Sequence, residues 1–118
     1  MSQAQRSFHR LDVDVELNIK LGGPFRETGM LEVSLSAGGL GLPLPTDLAL
    51  GGRFDLSFRV LEGPDHDAFE TKAEVARVVP GEETALWGLR FVSLSEQDQD
   101  RLSVILFEIQ TARARAVA

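Results

Sequence analysis

Two clusters in this sequence carry residue types that could bind an anionic ligand. The first is Arg6-Ser7-Phe8-His9-Arg10, with arginines four residues apart. In an extended segment, at about 3.3 Å per residue, the two side chains stand roughly 13 Å apart. Such a segment could curl around a ligand, each guanidinium reaching a different part of it. The planar arginine fork pairs with phosphate or with the O6/N7 edge of guanine, and it also stacks on aromatic rings. The second cluster is Ser34-Leu35-Ser36-Ala37-Gly38-Gly39. Hydroxyls beside glycine allow close backbone approach to a phosphate or base. Taken singly, each cluster has a plainer reading. Two arginines near a terminus also suit an exposed basic tail, and the glycines also suit a hairpin turn.

Several chemistries are poorly supplied. No Gly-Lys-Ser/Thr follows the glycines and no helix opens there, so this is not a P-loop. A βαβ unit is lacking for a dinucleotide fingerprint. The sequence has no cysteine and only two histidines, His9 and His66. Disulfides, thiol catalysis and cysteine metal sites are excluded, and no metal ligand set is expected. Asp65, His66 and Asp67 adjoin one another, but in an expected loop. With no nucleophile–base pair or paired-carboxylate motif on a defined element, an enzyme is not expected. The net charge of −6 argues against general nucleic-acid binding. It also requires local cations to capture any anionic ligand. No apolar run approaches the roughly 20 residues of a membrane span, and residues 1–10 lack a signal-peptide core. The expectation is a cytoplasmic protein without a membrane span.

The elements that must position the clusters are mainly strands. Leu11 to Leu21 reads LDVDVELNIKL, apolar at every odd position and polar at every even one. That period of two gives a strand with one buried and one solvated face. Gly22, Gly23 and Pro24 break it. A second strand is expected over Thr28 to Leu35, then a glycine turn into a short strand that Pro43 and Pro45 end or hold at an edge. Arg53 to Val60 alternates again. Phe69 to Val79 reads as a long strand whose alternation slips near Arg77, as a bulge would cause. Leu86 to Val92 is the sixth strand. Ser95 then caps a helix, with Asp98 as capping-box partner. Leu102, Ile105, Leu106 and Ile109 follow at helical spacing, so the helix is expected over about Glu96 to Ala112.

The ordered set resembles the PilZ domain family. That family is marked by R-x-x-x-R before the first barrel strand and by [D/N]-x-S-x-x-G some 20 to 30 residues later. Here stand Arg6-x-x-x-Arg10 and Ser34-x-Ser36-x-x-Gly39. Leu40-Gly41-Leu42, Trp87-Gly88-Leu89-Arg90-Phe91 and the Leu94-Ser95 pair before the helix are also similar. The likeness spans about Gln5 to Gln110. One position departs: the family's Asp or Asn is Ser34 here. Serine is shorter and offers one hydroxyl, so the usual contact to guanine is weakened, by roughly 1–3 kcal/mol.

The resemblance implies an all-β, six-stranded antiparallel PilZ-type β-barrel with a C-terminal α-helix. Residues 1–11 would form a flexible N-terminal arm, 12–94 the barrel, 95–112 the packed helix and 113–118 a frayed tail. It implies no cofactor. The ligand would be cyclic di-GMP, commonly bound in this family as an intercalated dimer. Arg6 and Arg10 would meet phosphates and guanine edges. Ser36 would donate its hydroxyl, Gly38 and Gly39 would let the backbone come close, and Ser34 would make a reduced polar contact. Phe8, His9 and Arg90 are further candidates: Phe8 to dock on the barrel and Arg90 to approach the ligand. The arm would order on binding and alter contact with an unidentified effector protein, in motility, pili, exopolysaccharide or virulence control. The alternative is a degenerate PilZ interaction module that does not bind cyclic di-GMP. The apolar breadth of the last helix leaves a homodimer open.

Overall fold

The computed structural model describes residues 10–20, 26–44, 50–82 and 85–116. Six strands and one helix follow in order: β1 (Leu11–Lys20), β2 (Arg26–Ser36), β3 (Gly39–Leu44), β4 (Arg53–Val60), β5 (Phe69–Pro80), β6 (Ala85–Phe91) and α1 (Glu96–Ala116). All strand pairs are antiparallel, and the sheet closes as β1-β2-β3-β6-β5-β4 with β4 returning to β1. Closure removes the unpaired edges that an open sheet would present.

The alternation of β1 sorts its side chains as expected. Val13, Val15, Leu17 and Ile19 are buried, while Asp12, Asp14 and Glu16 face solvent. β4 repeats the pattern with Phe54, Leu56, Phe58 and Val60 inside. In the centre Phe58 stacks on Phe69 at 5.1 Å and on Phe91 at 5.5 Å between ring centroids. Trp87 is fully buried, and its indole N–H has no hydrogen-bond partner among the described residues. Burying each such large side chain stabilises the fold by about 1.5–3 kcal/mol.

Strand lengths differ modestly from expectation. β2 begins at Arg26, two residues before Thr28, because its ladder with β1 runs unbroken from Lys20↔Arg26 to Leu11↔Leu35. β3 pairs with β2 only as far as Gly41, so Pro43 lies where β3 has a partner in β6 alone and its missing N–H is tolerated. β5 carries the expected irregularity. Its register against β6 shifts between Val75 and Arg77, leaving Ala76 as the extra residue. Phe69, Thr71, Ala73 and Val75 point inward, and strict alternation would put Arg77 inside as well. The added residue reverses the phase, so Arg77 is exposed and Val78 turns inward.

α1 buries Leu102, Ile105, Leu106 and Ile109 into the common core. Ser95 is its N-cap, with the Asp98 N–H donating to Ser95 Oγ at 3.1 Å. The Asp98 carboxylate does not return the capping bond as expected. It accepts from Arg101 at 3.2 Å instead. The helix also continues to Ala116, past the Ala112 at which fraying was expected. Arg113 explains the extension. Its guanidinium donates to both Glu62 carboxylate oxygens, at 2.9 and 2.6 Å, and to the Asp12 carbonyl at 2.9 Å. One turn from the other end, Arg101 holds the same loop through Asp65 at 3.0 Å and the Asp67 carbonyl at 2.8 Å, and lies 3.7 Å above the Phe69 ring. Among the described residues no helix is long and apolar enough to cross a membrane.

Two expectations test this account. A Cβ added to Gly39 would fall well inside van der Waals contact of the Leu89 carbonyl, whereas one added to Gly41 finds its nearest atom at an ordinary 3.6 Å. Gly39→Ala should therefore cost about 1–3 kcal/mol in urea unfolding, and Gly41→Ala little. An equal loss for both would refute the close β3–β6 approach at Gly39. The second concerns pH. The Arg113 guanidinium holds the Glu62 carboxyl below its ordinary value of 4.5. A carboxyl lowered by folding binds fewer protons folded than unfolded within that window. The pair's stabilisation is thus present above about pH 4.5 and lost as pH falls through the lowered folded value. Melting-temperature differences between wild type and Glu62→Gln should shrink in acid; a difference that grows there would contradict the pairing.

Candidate functional site

The site is a groove on the outside of the barrel, where β2, β3, β6 and β5 lie side by side. A β-sheet surface is normally filled by outward side chains on alternate residues. Here the register omits them. One cross-strand row reads Ser34, Gly41, Gly88, Arg77, each residue paired with the next. The row beside it reads Ser36, Gly39, Arg90, Glu74. Glycine at three of these outward positions leaves bare backbone as the floor. Leu86, paired with Pro43 and Val79, closes one end. The resulting space is about 680 Å³. Small-molecule sites fall at roughly 300–1,000 Å³.

Arg10, the last residue before β1, lies across the rim of this groove. Its Nη1 donates to the Ser34 carbonyl at 2.8 Å and to Ser34 Oγ at 3.1 Å, and its Nη2 donates to Ser36 Oγ at 3.3 Å. The sequence clusters are thus joined through Arg10 and the two serines. All three acceptors are neutral oxygens, and among the described residues no carboxylate pairs with the guanidinium. An Asp at position 34 would have met that charge; Ser34 leaves it available.

Ser36 is buried and occupied. Its hydroxyl donates to the Gly39 carbonyl at 3.3 Å and accepts from the Gly38 N–H at 3.2 Å. The expected donation to a ligand would require that single proton to turn away from Gly39. In this structure Ser36 shapes the β2–β3 turn and supports Arg10. Gly38 is fixed from the other side, its carbonyl accepting from the Phe91 N–H at 3.0 Å. Arg90 lines the groove, but Glu74 holds it, in an ion pair that Glu74 shares with Arg53 at 3.3 Å. The Arg90 guanidinium, with help from Arg53, keeps the Glu74 carboxyl below its ordinary range. Arg6, Phe8 and His9 lie outside the described residues.

Gly41, Gly88, Arg77 and Leu86 were not singled out from the sequence as site residues. Gly41 and Gly88 were marked only as parts of the family-like segments and Arg77 only by the slip in alternation; the row itself exists through pairing of distant strands. Among the described residues no group of three or more His, Cys, Asp or Glu could hold a metal ion.

Comparison with known proteins identifies the family of the fold. The PilZ domain model matches residues 4–108. The chain is 26% identical over 110 residues to the flagellar brake protein YcgR of Thioalkalivibrio sulfidiphilus (strain HL-EbGR7), covering 93% of this chain and 44% of that protein. Its fold is similar to the Bacillus subtilis inhibitor of motility MotI/DgrA, with TM-score 0.69 and 22% identity, over 95% of this chain and 51% of the other. It is equally similar to Escherichia coli YcgR solved in complex with c-di-GMP, with TM-score 0.68 and 23% identity, over 95% and 49%. A tetrameric PilZ domain protein of Xanthomonas campestris, self-assembled through a helical bundle, aligns with TM-score 0.68 at 13% identity, over 95% and 90%. The chain spans about half the length of the first three. With a closed six-stranded barrel, a terminal helix and a family match over nearly its whole length, this chain belongs to the PilZ domain family.

Proposed function

We propose that the chain is a cyclic di-GMP receptor that acts as a signalling adaptor. The observation that supports this best is Arg10, seated on Ser34 and Ser36 at the rim of a glycine-floored groove, with no carboxylate on its guanidinium among the described residues. A cation held in place by neutral acceptors gives up little of its charge before a phosphate arrives. It is also held in position, which lowers the ordering cost of binding. Arg6 would bring a second guanidinium from the arm, and Gly38 and Gly39 would let the ligand approach the backbone. Phe8 would dock the closed arm on the barrel, with His9 beside it. Ligand stacking as an intercalated dimer would suit a groove open to solvent.

The relatives named for flagellar braking and motility inhibition make the motility apparatus the first partner to try for this chain. The partner would read the surface formed when residues 4–9 close over the ligand. Self-association is a separate reading, supported by Val104 and Phe107 on α1, which are 54% and 67% exposed. The competing reading, a ligand-blind interaction module, draws its support from Ser34 in place of the acidic or amide residue.

Calorimetric titration with cyclic di-GMP decides between them. Wild type is expected to bind and to melt at higher temperature with ligand, since a ligand specific to the native state stabilises it. Arg10→Ala should lose about tenfold to a hundredfold in affinity, and Ser34→Asp should gain about tenfold, because the acceptor it restores for the guanine N–H groups outweighs the charge it takes from Arg10. Neither heat nor thermal shift at high micromolar ligand would leave only the interaction module standing. Amide exchange at residues 4–9 should slow on binding; unchanged exchange would remove the arm from the mechanism.

A further inference from the structure

We infer that Arg77 and the glycine floor beneath it form a second half of the groove, which holds a guanine base and selects it by its edge. The inference rests on the cyclic di-GMP reading above and goes beyond it, because neither Arg77 nor Gly41 belongs to the two sequence clusters. Three observations meet here.

The first is charge. In a chain of net charge −6, cations are expected to be neutralised by nearby acids. Many are: Arg53 and Arg90 pair with Glu74, Arg59 with Glu16, Lys72 with Asp55, Arg101 with Asp65 and Arg113 with Glu62. Arg10 and Arg77 have no such pairing among the described residues, and both line the same groove. Arg115, in the last turn of α1, is accounted for by the negative end of the helix dipole.

The second is placement. Arg77 faces outward only because Ala76 is an extra residue in β5. Bulges commonly re-aim a side chain beside a functional site. Without this one, a guanidinium would be directed into an apolar barrel, so the bulge serves both the core and the groove.

The third is the floor. Ser34 and Arg77 end a row whose two inner members are Gly41 and Gly88. Three strand spacings of about 4.8 Å separate the ends by roughly 14 Å. A Cβ on Gly88 would stand 3.4 Å from Arg77 Cβ and occupy the trough beside it. A flat aromatic ring can lie on such bare backbone where a side chain would lift it off. With Arg10 at the near end for the phosphates, the far end receives the base. There the Arg77 fork faces the O6/N7 edge, which guanine presents as two acceptors and adenine does not.

The test titrates wild type, Arg77→Ala, Arg77→Lys and Gly41→Ala with cyclic di-GMP, and with cyclic di-AMP in competition. Arg77 is exposed and has no ion pair among the described residues, so its variants should melt with wild type, and Gly41 has room for a methyl. Expected are a loss of about tenfold or more in cyclic di-GMP affinity for Arg77→Ala, and a smaller preference over cyclic di-AMP. Lysine should not restore that preference, because it lacks the fork. Gly41→Ala should weaken binding while leaving the fold intact. Wild-type affinity in Arg77→Ala, or an equal loss for both nucleotides, overturns this inference and leaves the receptor reading in place. A wild-type protein that binds neither nucleotide overturns both.

Discussion

Gly39 lies so close to the Leu89 carbonyl that no side chain fits between them, and this contact ties the start of β3 to β6 in a single register. Everything at the site follows from that register. With Gly39 opposite Arg90, Gly41 must fall opposite Gly88 two residues on, since outward positions recur with period two. A slip by one residue would turn Leu40 and Leu42 out and both glycines in, losing core burial and groove together. The groove is therefore as firmly specified as the core, although it is made of missing side chains.

Electrostatics then decides what such a groove can receive. An acidic chain offers no general attraction to an anion, so the local arrangement must supply it. The surface strands satisfy their cations in cross-strand pairs, such as Arg59 with Glu16, at a spacing where opposite charges help. Position 34 breaks that habit. A serine there holds Arg10 by hydrogen bonds without cancelling its charge. The substitution that weakens the family motif on the base side thus strengthens the positive character of the rim.

What was legible in the sequence was whatever depends on near neighbours. The alternation of Leu11 to Lys20, the cap at Ser95 and the slip near Arg77 each involve residues a few positions apart, and each appears in the structure. The link between Arg10 and Ser34 became legible only through the family pattern, because it joins residues 24 apart. The end of α1 was misjudged for the same reason. Residues 113–118 look like a fraying tail, but Arg113 meets Glu62, 51 residues earlier in the chain. Gly41 and Gly88 stood within segments that resemble the family, yet nothing local gave either a place at the site until strand pairing set one opposite the other.

The last helix and the first strand also meet through one short stretch. Arg113 grips the Asp12 carbonyl, and Arg10 stands two residues earlier, just before the same strand. The helix thus helps set the direction in which the first strand enters the barrel. Leu11, half-buried between these two anchors, packs against the core and pairs with Leu35 of β2. Because Leu35 stands between Ser34 and Ser36, the same pairing that buries Leu11 brings Arg10 level with both serines. Position of the guanidinium is then a property of the hydrophobic core, expressed at the surface through a strand that both the helix and the barrel hold in place.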